Sequence, residues 1–458
     1  MKRSLFAFVL IACVWLKVGP VTFADDAWQA GVAATVITPQ TSMWMSGYAS
    51  RTKPSEGTIH DLWAKALVLQ DPQGHKALLI TLDLVGIDRA TSQAICERLS
   101  KTHGLKRAAI ALSTSHTHSG PVVGKNLLTM YALDEENHQK IVEYTAFLEE
   151  SVAKVTADAF ASLAPAIVQH GSGQAEFAVN RRNNREPDVP MLREAGQLVG
   201  PVDHDVPVLV VKSPAGQLRA ILFEYACHAT VLSGMNWCGD WPGFAQLEIE
   251  RRHPGAIAMF MAGCGADQNP LPRRTVELAE NYGAQIANSV DRTLAGQLAT
   301  VSGKLSTAYR EIDLALDTLP TREQAESDLK SDNVYIARRA AHLLKQLAGD
   351  GHLSQTYPYP VQLWRLGNEL QITILGGEVV VDFAVRLKSE LPGKSNWIGG
   401  YCNDVMAYIP SARVLKEGGY EGETAMIYYG LPAKWSPDVE EHIVRTVKEL
   451  AEASAKSQ

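Results

Sequence analysis

The chain has 458 residues, 46% hydrophobic and 20% charged, which is ordinary globular composition. Its 50 acidic and 43 basic side chains leave a formal charge of −7. Binding a phosphate backbone takes clustered Lys and Arg, but Arg181-Arg182 and Arg273-Arg274 stand as isolated pairs, so no nucleic-acid partner is expected.

The first residues set a compartment. Lys2 and Arg3 precede an apolar run from Leu5 to Leu16, and small residues lead to Thr22-Phe23-Ala24 before Asp25 and Asp26. A basic start, a short apolar core and a small-residue exit read as a secretory signal peptide over residues 1–24. The run is shorter than the ~20 residues a membrane span takes. The mature chain is therefore expected to be exported, with at most peripheral membrane contact. Leu10-Ile11-Ala12-Cys13 also looks like a bacterial lipoprotein processing site, which makes a lipid anchor at Cys13 the alternative. Five cysteines follow: Cys96, Cys227, Cys238, Cys264 and Cys402. None forms a C-x-x-C pattern, so a thiolate zinc knuckle is not expected; Cys227 and Cys238 are close enough in sequence to pair. With no Pro/Ser/Gly-rich linker and no internal repeat, residues 25–458 read as one domain.

In chain order, Ala30–Ile37 reads as a strand stopped by Thr38-Pro39. Leu62–Leu69, the turn Asp71-Pro72-Gln73-Gly74 and Lys76–Leu82 read as a hairpin ending at Asp83. Ala90, Ala94, Ile95 and Leu99 give helical spacing over Asp88–Thr102, ended by Gly104. Ala108–Ser113 is a strand, and Lys140–Leu163 an amphipathic helix. Strands follow at Val206–Lys212, Arg219–Cys227 and Ala256–Met261, with helices at Gly243–Arg252 and Val276–Leu294. One helical block spans Arg322–Leu347. Val361–Leu366 and Glu369–Leu375 flank the turn Gly367-Asn368 as a second hairpin. Helices at Val380–Leu391 and Pro437–Ala453 close the chain. The alternation predicts an α/β fold with mixed β-sheets and flanking helices. Asp83, His116, His118, His228 and Asp267 all sit just past apolar strands, where open α/β sheets bind ligands.

His116 and His118 are two residues apart in Ser115-His116-Thr117-His118-Ser119-Gly120-Pro121. If strand geometry continues through them, both imidazoles point to one side. They then serve as two ligands of one ion, or as one ligand beside a hydrogen-bonding partner. Taken alone, His228 is an ordinary strand-end histidine. Glu378, after Leu375-Gly376-Gly377, is a carboxylate at a helix start, where it complements the dipole.

Together these residues form a known pattern. The Ser115–Pro121 segment resembles the T-H-T-H-S-G-P segment of neutral/alkaline (non-lysosomal) ceramidases. Further matches follow in the family's order: Val36-Ile37-Thr38-Pro39 through Gly47-Tyr48, Ile59-His60-Asp61 with Ala64-Lys65-Ala66, Asn180-Arg181, Gly376-Gly377-Glu378, Asn403 to Tyr408 and Gly419-Tyr420-Glu421. In the N-x-Y-x-x-Y segment, Val405 replaces the first tyrosine. The resemblance implies a zinc site with His116, His228, Glu378 and Tyr408 as ligands. It implies His118 as a substrate-facing histidine and Arg181 as a pocket arginine, giving His118, Arg181 and Tyr408 catalytic roles. Zinc lowers the pKa of bound water to about 7, so hydroxide on zinc is the expected nucleophile toward an N-acyl amide such as N-acylsphingosine. The oxyanion is then stabilised by zinc with His118 or Tyr408, and His118 protonates the leaving nitrogen.

Two departures from the pattern matter. Gly265-Ala266-Asp267-Gln268-Asn269-Pro270 stands where the family has G-D-x-S-P-N, so either Asn269 or Gln268 replaces its serine. Neither carries a hydroxyl, which favours attack by water. The family's additional C-terminal β-sandwich domain is not expected, since one helix follows Tyr420-Glu421. Two other readings stand beside a ceramide-cleaving enzyme: a zinc hydrolase of another amide or a glycoconjugate, and a non-catalytic relative that binds a small-molecule or lipid ligand. The last predicts loss of one of the four ligand residues, and all four are present.

Overall fold

A computed structural model describes residues 27–456. The leader read over residues 1–24, with Cys13, lies outside the described residues. The first sheet begins with β1 (Gln29–Val36), β2 (Trp63–Gln70) and β3 (Lys76–Leu82), paired antiparallel in chain order. The β2–β3 turn closes because Asp71 Oδ1 accepts the N–H groups of Gln73 and His75 at 2.9 and 2.8 Å. Helix α1 (Arg89–His103) then crosses to β4 (Ile110–Thr114), which lies parallel to β3. The Asp88 side chain caps α1 by accepting from Thr91 N, and Gly104 ends it in the left-handed region at φ 66°.

Helix α2 (Glu135–Ala161) buries Ile141, Tyr144, Leu148, Val152, Val155 and Ala159 against β1 and β2. Burying each aliphatic side chain contributes about 1.5–3 kcal/mol. The approach is close at Gly31, where a Cβ would stand 2.0 Å from the Ala159 carbonyl oxygen.

The second sheet repeats this plan. Strands β5 (Ile167–Gln174), β6 (Asp205–Lys212) and β7 (Leu218–Tyr225) are antiparallel; α3 (Asp240–Arg252) crosses to β8 (Ile257–Ala262), parallel to β7. Helix α4 (Val276–Ala295) packs on β5 and β6. The third sheet does so again. Strands β9 (Leu305–Ala315), β10 (Thr356–Leu366) and β11 (Leu370–Leu375) are antiparallel, and α7 (Val381–Glu390) crosses to β12 (Asn396–Gly399), parallel to β11. Between β9 and β10 lie α5 (Arg322–Asp328) and α6 (Val334–Gly349), and α8 (Val439–Lys456) packs on β9 and β10.

Each sheet is thus an antiparallel meander finished by one strand–helix–strand crossover. The parallel edges meet. Ser113 bridges Cys402, and Gly263 bridges Gly399, so the end of β12 and the segment after it are stitched to the ends of β4 and β8. Carboxyl ends of strands from all three sheets therefore converge on one place.

The expected α/β class with mixed sheets is what the structure has. Three expectations need correction. Arg322–Leu347 is two helices, because Asn333 starts a new one by accepting from Tyr335 N and Ile336 N. Strands β5 and β9 were not anticipated; β9, with Thr307, Arg310, Glu311 and Asp313, carries too many polar residues to read as a buried strand. Cys227 and Cys238 do not pair: all five described cysteines are free and buried, and the Cys238 Sγ lies 3.2 Å from His60 Nε2. Among the described residues, no helix is long and apolar enough to cross a membrane.

Candidate metal centre

Strand β4 ends at Thr114, and His116 adopts a left-handed backbone at φ 57°. The alternation assumed for His116 and His118 is therefore broken at His116. The two imidazoles still meet, with His118 Nε2 3.1 Å from His116 Nε2. Tyr401 and Asn403, beyond β12, are left-handed as well, so three of the six non-glycine residues with positive φ among the described residues border this cluster. Such strain collects at functional sites, where surrounding contacts over-determine the backbone.

The His116 Nδ1 faces the Val85 carbonyl at 2.5 Å, and the His228 Nδ1 faces the Gly265 carbonyl at 2.8 Å. A carbonyl oxygen only accepts, so each Nδ1 carries a proton, and in the neutral form of the ring each Nε2 presents a lone pair. Both lone pairs face the same atom: Glu378 Oε2 lies 3.2 Å from His116 Nε2 and 3.2 Å from His228 Nε2. Tyr408 Oη stands 3.4 Å from His228 Nε2. Lone pairs facing a carboxylate in a buried place repel unless a cation lies between them. Ligand atoms about 2.0–2.1 Å from a tetrahedral zinc stand about 3.3 Å apart, which these separations match. His116, His118 and His228 form a group able to hold a metal ion.

Glu378 reaches this point by a route unlike the expected one. It does not cap a helix; with Val379 it forms a two-residue strand parallel to Tyr408-Ile409, which fixes the two residues side by side. Its other oxygen, Oε1, accepts from Tyr429 Oη. Burial alone would raise the Glu378 carboxyl; positive charge and N–H donation from His116 and His228, when these carry it, outweigh burial and hold the carboxyl well below the usual range, and a cation between the three groups does the same work for neutral imidazoles. Burial, then Arg181, pushes His228 down to about 4. Burial, then His116 and His228, holds His118 well below the usual imidazole range, so it is neutral at pH 7. Burial, then Glu378, holds the Tyr408 phenol well above its ordinary value.

Arg181 follows the short strand Ala178–Asn180, which pairs with Gln268–Pro270. Its Nη2 donates to Tyr408 Oη at 3.2 Å, its Nη1 to Asn269 Oδ1 at 3.3 Å and its Nε to Glu421 Oε1 at 2.7 Å. Burial opposes its charge, but Tyr408 and Glu421 hold the guanidinium ionised. Asp267 ties this corner together: its backbone carbonyl accepts from Arg181 N, Oδ1 from Val381 N and Oδ2 from Asn180 Nδ2.

A cleft of about 590 Å³ opens onto this cluster. His118, His228, Arg181 and Tyr408 line it, while His116 and Glu378 lie behind its floor. Gly47 borders it at φ 98°, and a Cβ there would stand 2.5 Å from the His118 ring, so only glycine lets the ring sit where it does. Asn269 lines the cleft, whereas Gln268 does not. Instead Gln268 spends its amide on Ala226 O and Asp203 N. Of the two residues that could stand for the family serine, Asn269 is the one at the site. Cys264 is buried and its thiol is held well above its ordinary value by burial and Glu224, so it supplies no thiolate.

All six residues singled out in the sequence therefore come together. Sequence reasoning missed Tyr429, which holds Glu378, and Tyr401, whose ring lies 4.4 Å from that of His116. It noticed Glu421 without giving it a partner. No spacing rule marks a tyrosine that meets its carboxylate partner 51 residues away.

The family model for neutral/alkaline non-lysosomal ceramidase, N-terminal, matches residues 28–267. The chain belongs to this family. Neutral ceramidase 2 of Arabidopsis thaliana is 30% identical over 120 residues, 26% of this chain and 15% of that protein. Neutral ceramidase 1 of Arabidopsis thaliana is 25% identical over 117 residues, 25% of this chain and 15% of that protein. The chain thus matches these ceramidases over less than a sixth of their length. The crystal structure of neutral ceramidase from Pseudomonas aeruginosa superposes with a TM-score of 0.72 at 19% identity, covering 94% of this chain and 75% of that one. A ceramidase complexed with C2 gives 0.73 at 18% identity, covering 94% and 76%. These two likenesses establish that the ceramidase fold runs through nearly the whole described chain.

Proposed function

We propose that the chain is an exported, zinc-dependent amidohydrolase that cleaves an N-acyl bond, with N-acylsphingosine as the compound its family membership points to. The observation that carries this reading is the convergence of His116 Nε2 and His228 Nε2, each 3.2 Å from Glu378 Oε2, at and just behind the floor of the cleft, with Tyr408 Oη beside them. Zinc is the ion this N- and O-donor set suits, and when bound it supplies Lewis acidity and water acidified to a pKa of about 7.

The remaining work falls to the chain. Val85 and Gly265 hold the His116 and His228 tautomers through their carbonyls, which keeps each Nε2 free to coordinate. Tyr429 orients Glu378 by donating to its outer oxygen. The carbonyl oxygen of the amide becomes negative as water adds. Arg181 and Tyr408, already joined at 3.2 Å, present N–H and O–H donors to that oxygen from the cleft wall. His118 is neutral, lines the cleft and places its Nε2 3.1 Å from His116 Nε2, beside the cluster. It accepts the proton from attacking water and returns it to the leaving nitrogen.

The test is metal analysis of the purified protein together with release of fatty acid from N-acylsphingosine and a panel of other amides. The expected result is about one zinc per chain and amide cleavage that chelation removes. A zinc-free chain that hydrolyses amides, or a zinc-loaded chain that cleaves none, would overturn the reading.

A further inference from the structure

Most polar side chains on the cleft wall are committed to partners within the chain. Glu421 takes Arg181 and Arg182, Glu417 takes Arg182, and Glu186 takes Arg273. Asn184 gives its amide to the carbonyls of Asn180 and Val199 at 2.8 and 2.7 Å, and Tyr48 donates to the Leu232 carbonyl at 3.0 Å. Asn269 is different. Its Oδ1 accepts from Arg181 Nη1 at 3.3 Å, while its Nδ2 has no hydrogen-bond partner among the described residues. A guanidinium only donates, so the atom facing Arg181 is the amide oxygen and the free end is the N–H donor. The side chain lines the cleft and is only 4% exposed. Unlike the unpartnered Thr230 Oγ1 on the same wall, the Asn269 Nδ2 is not sealed inside the protein, so it opens on the cleft. A donor so enclosed is costly to leave unpaired, and a ligand oxygen in the cleft satisfies it.

The direction of this donor is set before any ligand arrives. The Asn269 backbone pairs with Val179 in the short ladder that joins Gln268–Pro270 to Ala178–Asn180. The Arg181 guanidinium then separates Asn269 from the metal cluster, with Nη2 on Tyr408 Oη and Nη1 on Asn269 Oδ1. The reacting carbonyl belongs on the Tyr408 side. Asn269 therefore faces a part of the substrate beyond the reacting carbon, and an N–H donor there takes an oxygen. On an amide of the N-acylsphingosine type, the oxygens beyond that carbon are hydroxyls beside the nitrogen.

We infer that Asn269 is a specificity-determining residue whose Nδ2 donates to a hydroxyl oxygen on the amine half of the substrate. This rests on the amidohydrolase reading and adds to it a requirement for a hydroxyl near the nitrogen. The carboxamide divides two tasks between its ends: Oδ1 positions Arg181, and Nδ2 contacts the substrate.

The test compares N-hexanoylsphinganine with the same amide lacking both hydroxyls, in one detergent, on the zinc-loaded protein. The expected kcat/KM is about tenfold higher for the hydroxylated amide. Two variants assign that preference. Asn269→Leu removes donor and acceptor, whereas Asn269→Asp keeps an oxygen for Arg181 and removes the donor. Both are expected to bring the ratio of the two values to within about twofold of unity. The ratio is taken within each variant, so it does not depend on how much turnover the substitution costs. A wild-type ratio near unity overturns the inference. So does a ratio kept by Asn269→Asp, which would place the effect on Oδ1 and Arg181. A third amide, with its one hydroxyl on the acyl α-carbon, is expected to behave like the amide lacking hydroxyls; a preference for it overturns the assignment to the amine half. Calorimetric binding of sphinganine and of its dideoxy counterpart, in the same detergent, needs no turnover. Wild type is expected to bind sphinganine about tenfold more tightly, and Asn269→Asp is expected to lose that difference. Equal binding by wild type overturns the inference whatever the kinetics. The expected binding pattern without cleavage of any amide overturns the amidohydrolase reading alone.

Discussion

Glu378 and Glu224 are both buried carboxylates, 3% and 2% exposed, yet they live in opposite surroundings. Glu378 lies past the end of β11, facing His116 and His228 and accepting from Tyr429. Glu224 lies within β7, and its Oε2 has no hydrogen-bond partner among the described residues. Burial pushes the Glu224 carboxyl up to about 8, with Lys388 pulling the other way. The same burial acts on Glu378 and is overcome by the two imidazoles. Burial of a charge therefore does not mark a site; convergence of partners from separate strand ends does.

The sharpest way to break this contrast is to remove a convergent partner. His116→Ala is expected to lose bound zinc and to lower turnover by about a thousandfold or more, with circular dichroism unchanged. Retained turnover at full zinc content would sink the metal centre. A smaller probe acts one step back. Tyr429→Phe removes the donor to Glu378 while keeping the ring, and zinc affinity measured against a competing chelator is expected to fall about 10–100-fold. Unchanged affinity would mean that Glu378 is oriented without Tyr429.

The other side of the contrast is tested by pH. The folded-state value of Glu224, about 8, lies above the ~4.3 of an unfolded glutamate. Between those values the folded state binds more protons than the unfolded one, so stability falls as pH rises through this window. Glu224→Gln is expected to flatten that decline by up to about 5 kcal/mol at pH 8, read from unfolding midpoints across the window. Asp404 and Asp240, raised by burial to about 7 and about 6, keep part of the slope. Identical slopes in wild type and variant would show that the Glu224 charge is not felt.

Much of this architecture was legible because local chemistry and global fold agree. Asp88 and Gly104 bound α1, the turn from Asp71 bounds a hairpin, and the ligand residues follow apolar strands. The Cys227–Cys238 pairing was not decidable from spacing, since residues close in sequence diverge when one follows β7 and the other precedes α3. Nor was β9 legible: its polar residues, Arg310 and Glu311 among them, reach exposed partners, and no apolar run marks the strand. The cleft wall was hidden for a related reason. Arg182 meets Glu421 across 239 residues, and Arg273 meets Glu186 across 87, so no local pattern announces a wall of paired charges.

Asn269 joins the two parts of the site, and the smallest expected effect belongs there. It sits where the family pattern has a serine, is 4% exposed, and accepts from Arg181 Nη1 at 3.3 Å. Asn269→Ser restores the hydroxyl. A serine becomes a nucleophile only beside a base that takes its proton, and the one described side-chain partner of Asn269 is the guanidinium of Arg181, which is always protonated. The substitution shortens the acceptor on Arg181, which keeps Glu421 and Tyr408. Loss of one such hydrogen bond is worth about 0.5–1.5 kcal/mol, so turnover is expected to fall by less than about tenfold. Pre-steady-state kinetics should show no burst of released amine. A burst, or a gain in turnover of tenfold, would move the nucleophile from water to the chain and would place Asn269, rather than the histidine–glutamate cluster, at the centre of the chemistry.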